Sequence, residues 1–470
     1  MKTNKKNSVV LLLFMISFML NSNNLKAGNY TWNGATSASW ATPTNWTPNG
    51  VPGTNDSITI VTGANNVYLS SSLTVKQITV TSGTLDLQSY ILTVSATGNF
   101  NSGNVNNGTL LVYGTSTQTF KGTQFGAKVK VTGNSILLNG STFNDSLFVV
   151  KKGTSNDNGK GNNTFNGYVS LTDSASGNLV LSDSFPDIFN SSLIVNRRST
   201  GNIYLSHRAT GTQFNGDVTF NGGNGYSNYY GSATYSGNII LNGNVYFGYG
   251  GGSCVLSTGK NISIGASGIS AGWLYFKNFT QQDSTSKVSL ALTGTSQLFF
   301  ESGSTFNDSV TASAPLLYLN GSRFNGVAHL TNNGSSSVTS TGGCYFKKKA
   351  SIYNSCSTSI TYSFSTTAID TFVTDALIQN NIGTLAFTKA VFLGAVTLKN
   401  ANTTTGSDRY YVSSSGQTVF KGAVTIDNAT SGMVFGNTSG ILTLDSTSSL
   451  SFASGFTGNI TIKGVTQLGN

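Results

Sequence analysis

The chain has 470 residues, only 9% of them Asp, Glu, Lys or Arg, and a formal net charge of +10. Four of its 26 basic residues (Lys2, Lys5, Lys6 and Lys26) fall in the first 27 positions, leaving 22 against 16 acidic ones, too sparse for the dense basic face that nucleic acid requires. Its 28 Phe and 19 Tyr argue against disorder and supply material for a long core.

Residues 1–27 read as a secretory signal peptide. Lysines precede an apolar run from Val9 to Leu20, and a polar stretch ends in Leu25-Lys26-Ala27, with cleavage expected after Ala27. That run is too short to span a bilayer, and no other segment is long and apolar enough to cross as a helix. The chain is therefore expected to be exported, outside the cell or at its surface in association with the outer membrane.

Residues 28–66 carry three of the four Trp (Trp32, Trp40, Trp46) and three of the five Pro (Pro43, Pro48, Pro52). Aromatics that cover an apolar end, and prolines that blunt a strand edge, predict an N-terminal cap. The competing reading is an aromatic sugar-binding platform. Residues 67–125 alternate apolar and polar with period 2, as in Leu73-Thr-Val75, Ile78-Thr-Val80, Leu85-Asp-Leu87 and Leu92-Thr-Val94, which predicts the first strands of a repeat.

From 126 to 470 the repeat becomes explicit. Phe-Asn recurs at Phe143-Asn144, Phe165-Asn166, Phe189-Asn190, Phe214-Asn215, Phe306-Asn307 and Phe324-Asn325. Degenerate copies sit at Phe125, Phe346, Phe392 and Phe420. Most copies precede an alternating pair such as Leu147/Val149, Val169/Leu171 or Leu193/Val195. A Gly-Asn element often follows, at Gly177-Asn178, Gly201-Asn202 and Gly237-Asn238. The spacings of 22, 24 and 25 residues from Phe143 to Phe214 mark a solenoid whose surface loops absorb insertions. A coil of this size holds three short strands. The prediction is all-β: a right-handed parallel β-helix of roughly 18–20 coils, about 90 Å long at an inter-strand step of ~4.8 Å. Gly or Asn after each Phe is expected to turn the corner in the left-handed conformation, and stacked Asn amides to bond along the axis. Between Ala368 and Asn380, Ile369, Phe372, Val373 and Leu377 match one helical face, but the segment is read as a coil variant. The C-terminal residues Gly458 to Asn470 stop in mid-pattern, so the last coil is expected to be open, either cut from a longer protein or completed by an end-to-end contact.

Trp32-Asn-Gly34, Trp40, Asn45-Trp46, Pro48, Val51-Pro52 and Asp56-Ser-Ile58-Thr-Ile60, with the later Phe-Asn-Gly and Ser-Gly-Asn-Ile units, resemble exported β-strand-repeat surface proteins of Bacteroidota. The resemblance implies an adhesin-like solenoid, often exported by type IX secretion, although the sorting domain of that route is missing before Asn470. Asp-Ser followed by a small or aliphatic residue, at Ser57, Ser146, Ser174 and Ser309, is similar to the O-glycosylation acceptor pattern of that phylum.

Residues for chemistry are scarce. Glu301 is the only Glu, and His207 and His329 are the only His. The best cluster is Asp173, Asp183 and Asp187 with Arg197, Arg198, His207 and Arg208; stacking could bring His207 to Asp183, most simply as a solvated surface pair. Arg197-Arg198 and Lys347-Lys348-Lys349 read as solvated loops. Cys254, Cys344 and Cys356 lack metal-type spacing and read as small buried apolar residues ahead of a disulfide. No catalytic, cofactor-binding or metal residue is assigned and no cofactor is expected. The expected function is a non-catalytic structural or adhesin-like surface solenoid that meets surface glycans or other cell-surface proteins. The alternatives are a carbohydrate-active β-helix, marked by converging carboxylates or an Asp beside a basic group, and a carbohydrate-binding solenoid, marked by coplanar exposed aromatics such as Tyr226, Tyr229 and Tyr230.

Overall fold

A computed structural model describes residues 27–468 except 64, 223–227, 231, 404–407, 429–430, 438 and 455. Residues 1–26 of the leader segment and Tyr226 therefore lie outside the described residues. The fold is a parallel β-solenoid of about 18 turns. Each coil supplies up to three short strands, and equivalent strands of successive coils pair in parallel, giving three faces. At ~4.8 Å per step the rod is roughly 85 Å long.

The first face carries the alternating runs. Leu147–Lys151, Val169–Asp173, Leu193–Arg197 and Val218–Gly222 stack in register, so that Leu147, Val169, Leu193 and Val218 share one inward row. The second face is a ladder of mostly two- to four-residue strands, running from Val67–Tyr68 to Val465–Gln467 and containing Thr142–Phe143, Thr164–Phe165 and Ile188–Phe189. The third face includes Ile203–Ser206, Val245–Phe247, Trp273–Phe276, Gln297–Glu301 and Leu316–Asn320. Near the N-terminus the long strands Leu73–Val80 and Ile91–Phe100 bend at a register shift and serve two faces at once.

The Phe punctuation is the core of one corner. Phe125, Phe143, Phe165, Phe189, Phe214 and Tyr235 stack ring on ring at centroid spacings of 4.5–5.4 Å, and all are buried. Phe306, Phe324, Phe346, Phe372, Phe392 and Phe420 repeat the stack further along. Between the two runs, Leu256 and buried Gln281 occupy the Phe position. There the aromatic ladder moves to the third face as Phe247, Phe276 and Phe300. The degenerate copies Phe125, Phe346, Phe392 and Phe420 all occupy the expected position.

The cap is built from Trp32, Trp40 and Trp46, all buried and packed edge to face at 5.0 and 4.7 Å around Trp46. Asn29–Trp32 pairs antiparallel with Trp46–Thr47 on one side and parallel with Ser57–Ile60 on the other, so the cap occupies the N-terminal edge of the first face. At the other end Leu450, Phe452, Ile462, Val465 and Leu468 are exposed, around a hollow lined by apolar side chains including Phe420, Ile426 and Phe435.

Several expectations are corrected. Asn144, Asn166, Asn190 and Asn215 are absent from the positive-φ positions, so they are not needed to turn the corner. Their amides do bond coil to coil as expected, at 2.7–2.8 Å, and that alone is the reason for Asn. Gly167 and Gly216 also avoid positive φ. A Cβ there would lie 2.4 Å from the backbone of the preceding coil, at Asp145 and Ser191, so close approach selects glycine. Gly237-Asn238 does not open a third-face element as Gly177-Asn178 and Gly201-Asn202 do. Ile239–Asn242 pairs with Val218–Gly222 on the first face, because Tyr235 takes the Phe position of that coil. Arg197 is buried rather than solvated, whereas Arg198 and Lys347–Lys349 are exposed. The segment near Ala368 forms strands Asp370–Phe372 and Ala376–Ile382, with Phe372 and Ile378 facing inward, consistent with a coil variant. Cys254, Cys344 and Cys356 are buried and unbonded to one another. Among the described residues no helix is long and apolar enough to cross a membrane.

Candidate functional site

The predicted acidic cluster separates into interior and surface parts. Asp187 is fully buried and accepts hydrogen bonds from the Asn163 backbone N–H (2.7 Å), Asn163 Nδ2 (2.9 Å) and Ser182 Oγ (2.6 Å). Burial pushes its carboxyl up to about 6, against the lowering effect of these donors. The same latch recurs at Asp370, which accepts from the Cys344 N–H at 2.7 Å and from Ser365 Oγ. Burial lifts Asp370 to about 7. In both, a Ser with positive φ (Ser182, Ser365) precedes the Asp by five residues, and Phe follows two later. The spacing Ser-x4-Asp-x-Phe was present in the sequence, and it marks a structural corner. Asp173 is also buried, with Arg197 opposite it in register on the next coil.

Asp183, His207 and Arg208 do converge. His207 Nδ1–H donates to Asp183 Oδ1 at 2.7 Å, and both side chains are about four-fifths buried (23% and 18% exposed). Arg208 Nε lies 3.7 Å from the same oxygen, and the Tyr204 ring meets the imidazole edge-on at 4.6 Å. The pair follows from the equal placement of Ser182 and Ser206 one coil apart, as the Leu-Ser endings predict; it is far less solvated than a loose surface contact. It sits between two shallow hollows of about 350 and 530 Å³. The first is lined in part by Asn156, Asn158 and Asn178, the second by Thr210, Ser232 and Gly250–Gly252. An Asp on Nδ1 fixes the tautomer that leaves a basic lone pair on Nε2. The hollow supplies no second available carboxylate. Asp157 lines it, but that carboxylate is enclosed and tied to Lys151 at 2.9 Å. Among the described residues no group of three or more His, Cys, Asp or Glu gathers to hold a metal ion.

A second surface feature contains one residue the sequence singles out, Tyr229, and five that it does not. Tyr204, Tyr229, Tyr246, Tyr275, Phe299 and Tyr318 occupy one register row of the third face. The rings of Tyr246, Tyr275, Phe299 and Tyr318 are partly exposed and stack at 4.5, 3.9 and 4.2 Å, with interplanar angles of 16°, 3° and 2°. Trp273, 39% exposed, stands beside them, 6.4 Å from Tyr275. The six aromatics are scattered at irregular intervals of 17 to 29 residues, so only the register reveals the row. These rings are not a coplanar platform. They use their faces on one another and are each only partly exposed, while Trp273 adds exposed indole surface.

Comparison with family models, with curated proteins and with solved structures finds no match to the chain.

Proposed function

We propose that the chain is a non-catalytic, exported surface solenoid, a rigid adhesin-like rod whose contact surface is the third-face aromatic row from Tyr246 to Tyr318 with Trp273. The observation that carries this reading is the row itself. Its partly exposed rings form continuous aromatic ground repeated at the coil step, and aromatic side chains of this amphipathic kind are enriched at contact surfaces. The apolar C-terminal hollow is a second contact surface in this reading, for end-to-end association. The test is binding of purified protein to pectin, alginate and xylan gels and to intact cell surfaces. A Trp273→Ala/Tyr275→Ser variant that keeps the far-UV β spectrum but loses retention supports the reading; unchanged retention on every surface overturns the row's role.

A second reading rests on Asp183–His207. The pair meets the requirement of an acid beside a basic group, with Arg208 and Tyr204 adjacent, and supports carbohydrate-active chemistry in which Nε2 accepts a proton. Release of oligosaccharide or unsaturated product that disappears in Asp183→Asn and His207→Ala would replace the adhesive reading with this one.

A further inference from the structure

Buried in the coil that follows Phe143 is a lysine–aspartate pair that no surface role explains. Lys151 ends a first-face strand, and its side chain and that of Asp157 are both 0% exposed. Lys151 Nζ donates to Asp157 Oδ1 at 2.9 Å and to the carbonyls of Asn134 and Ser155 at 3.0 and 2.7 Å. Asp157 Oδ1 also accepts the Ile136 backbone N–H at 3.1 Å, while Oδ2 bonds neither Lys151 nor Ile136 and has only the Ser135 side chain close to the carboxyl. Asp173 faces Lys151 in register on the next coil, buried, with its own Oδ2 unpartnered.

We propose that Lys151 and Asp157 condense to an intramolecular amide, with Asp173 as the proton-transfer group. The two groups are already paired at 2.9 Å, and the reaction starts when one proton passes within the pair from Lys151 Nζ to the Asp157 carboxylate, coming to rest on Oδ2 and leaving an amine against a carboxylic acid. Burial raises the Asp157 carboxyl, against the lowering pull of Lys151, and lifts Asp173 to about 6, a value at which it both gives and takes protons. The amine nitrogen then forms a bond to Asp157 Cγ. Negative charge develops on Oδ1, where the Ile136 N–H already points. Oδ2 already carries the proton that Lys151 gave up, and Asp173 takes the proton that the nitrogen sheds and delivers it to Oδ2 as the second. The Cγ–Oδ2 bond breaks, and Oδ2 leaves as one water. Amine and acid become amide and water, with no oxidant or other reactant. The product keeps two of these contacts and gives up one: its carbonyl oxygen still accepts from Ile136, and its single N–H donates to either Ser155 or Asn134, no longer to both. Oδ2, the oxygen that holds neither Lys151 nor Ile136, is the atom that departs.

The experiment is a tryptic peptide map of the purified chain by tandem mass spectrometry. Expected is a branched product in which the segment ending at Lys151-Lys152 remains joined to Gly153–Lys160 through Lys151 and Asp157; it has the mass of the uncleaved linear peptide but two N-termini, Val131 and Gly153, and fragment ions that place the link between Lys151 and Asp157. Lys151→Arg is expected to lose the branch entirely, and Asp173→Asn, checked for retained β spectrum, to reduce it from the main species to a trace. Unlinked Lys151 and Asp157 peptides in the wild-type map overturn the proposal, as does a dehydrated but unbranched peptide, the mark of a cyclic imide at Asp157. A folded Asp173→Asn chain as fully linked as wild type overturns the role of Asp173.

Discussion

Phe165→Ala tests the ladder that organises the fold. The ring is fully buried, 5.4 Å from Phe143 and 4.5 Å from Phe189, so truncation removes two stacked contacts and leaves a cavity between coils. Truncating a buried Phe costs about 3–5 kcal/mol, and the two stacks, each about 0.5–1.5 kcal/mol beyond area burial, favour the upper part of that range. In a solenoid the cost is local, because each coil is held by its neighbours. Native-state hydrogen exchange should therefore show lost protection in Leu147–Lys151, Val169–Asp173 and Leu193–Arg197, with Asp370–Phe372 unchanged. Phe148→Ala, at an outward half-buried position of the same coil, is the control and should cost about 1 kcal/mol or less. A Phe165→Ala effect no larger than the control, or an equal loss of protection at Phe372, would refute the ladder as a nearest-neighbour core.

Stability should fall as pH rises from about 4 to about 7. Asp370 and Asp187 have carboxyls raised by burial to about 7 and about 6, so the folded chain binds more protons than the unfolded one in that window. Urea midpoints should be higher near pH 5 than near pH 8, and Asp370→Asn, which keeps the acceptor for Cys344 N–H, should flatten the difference; an unchanged slope counts against it. Asn380→Ala should cost about 1–3 kcal/mol, since its amide receives from Asn354 (2.8 Å) and donates to Asn400 and the Arg409 carbonyl in the interior, whereas exposed Asn190→Ala should cost much less by the same denaturation assay. Deleting Gly28 to Val51 removes Trp32, Trp40 and Trp46 and bares a strand edge, so light scattering should show aggregation; a monomeric, equally soluble variant refutes the cap. Phe452→Asp at the apolar C-terminal end should weaken self-association measured by sedimentation, and an unchanged association constant removes that end as a contact.

What could be read without the structure was whatever repeats inward. Phe143, Phe165 and Phe189 recur because each must sit on the one below, and a ladder position tolerates few alternatives. The Asn that follows was legible both as an element boundary and as a stacked amide; what the sequence left unresolved was whether it also turns the corner in the left-handed conformation, which it does not. An amide bonding to its own copy one coil away leaves the same letter in the sequence as a left-handed turn residue. Arg197 was misplaced for a related reason. Its neighbour Arg198 is solvated, and only register against Asp173 distinguishes a buried charge from an exposed one.

The outward positions follow a different logic, and the candidate surfaces lie there or at the rim. Each outward side chain needs only to be compatible with a strand, so neighbouring coils are free to differ, and no period announces a site. Tyr246, Tyr275, Phe299 and Tyr318 become a continuous surface because insertions of different length between them are absorbed in loops while the strands keep step. The Asp183–His207 pair was found earlier only because both follow a Leu-Ser ending, a feature of the inward pattern. In this fold the inward repeat sets the coordinate system, and functional side chains are located by their coil and face within it. Substitutions along one outward row should then combine cooperatively when the residues are stacked, as with Tyr275 and Phe299 at 3.9 Å, and additively when they lie on different faces.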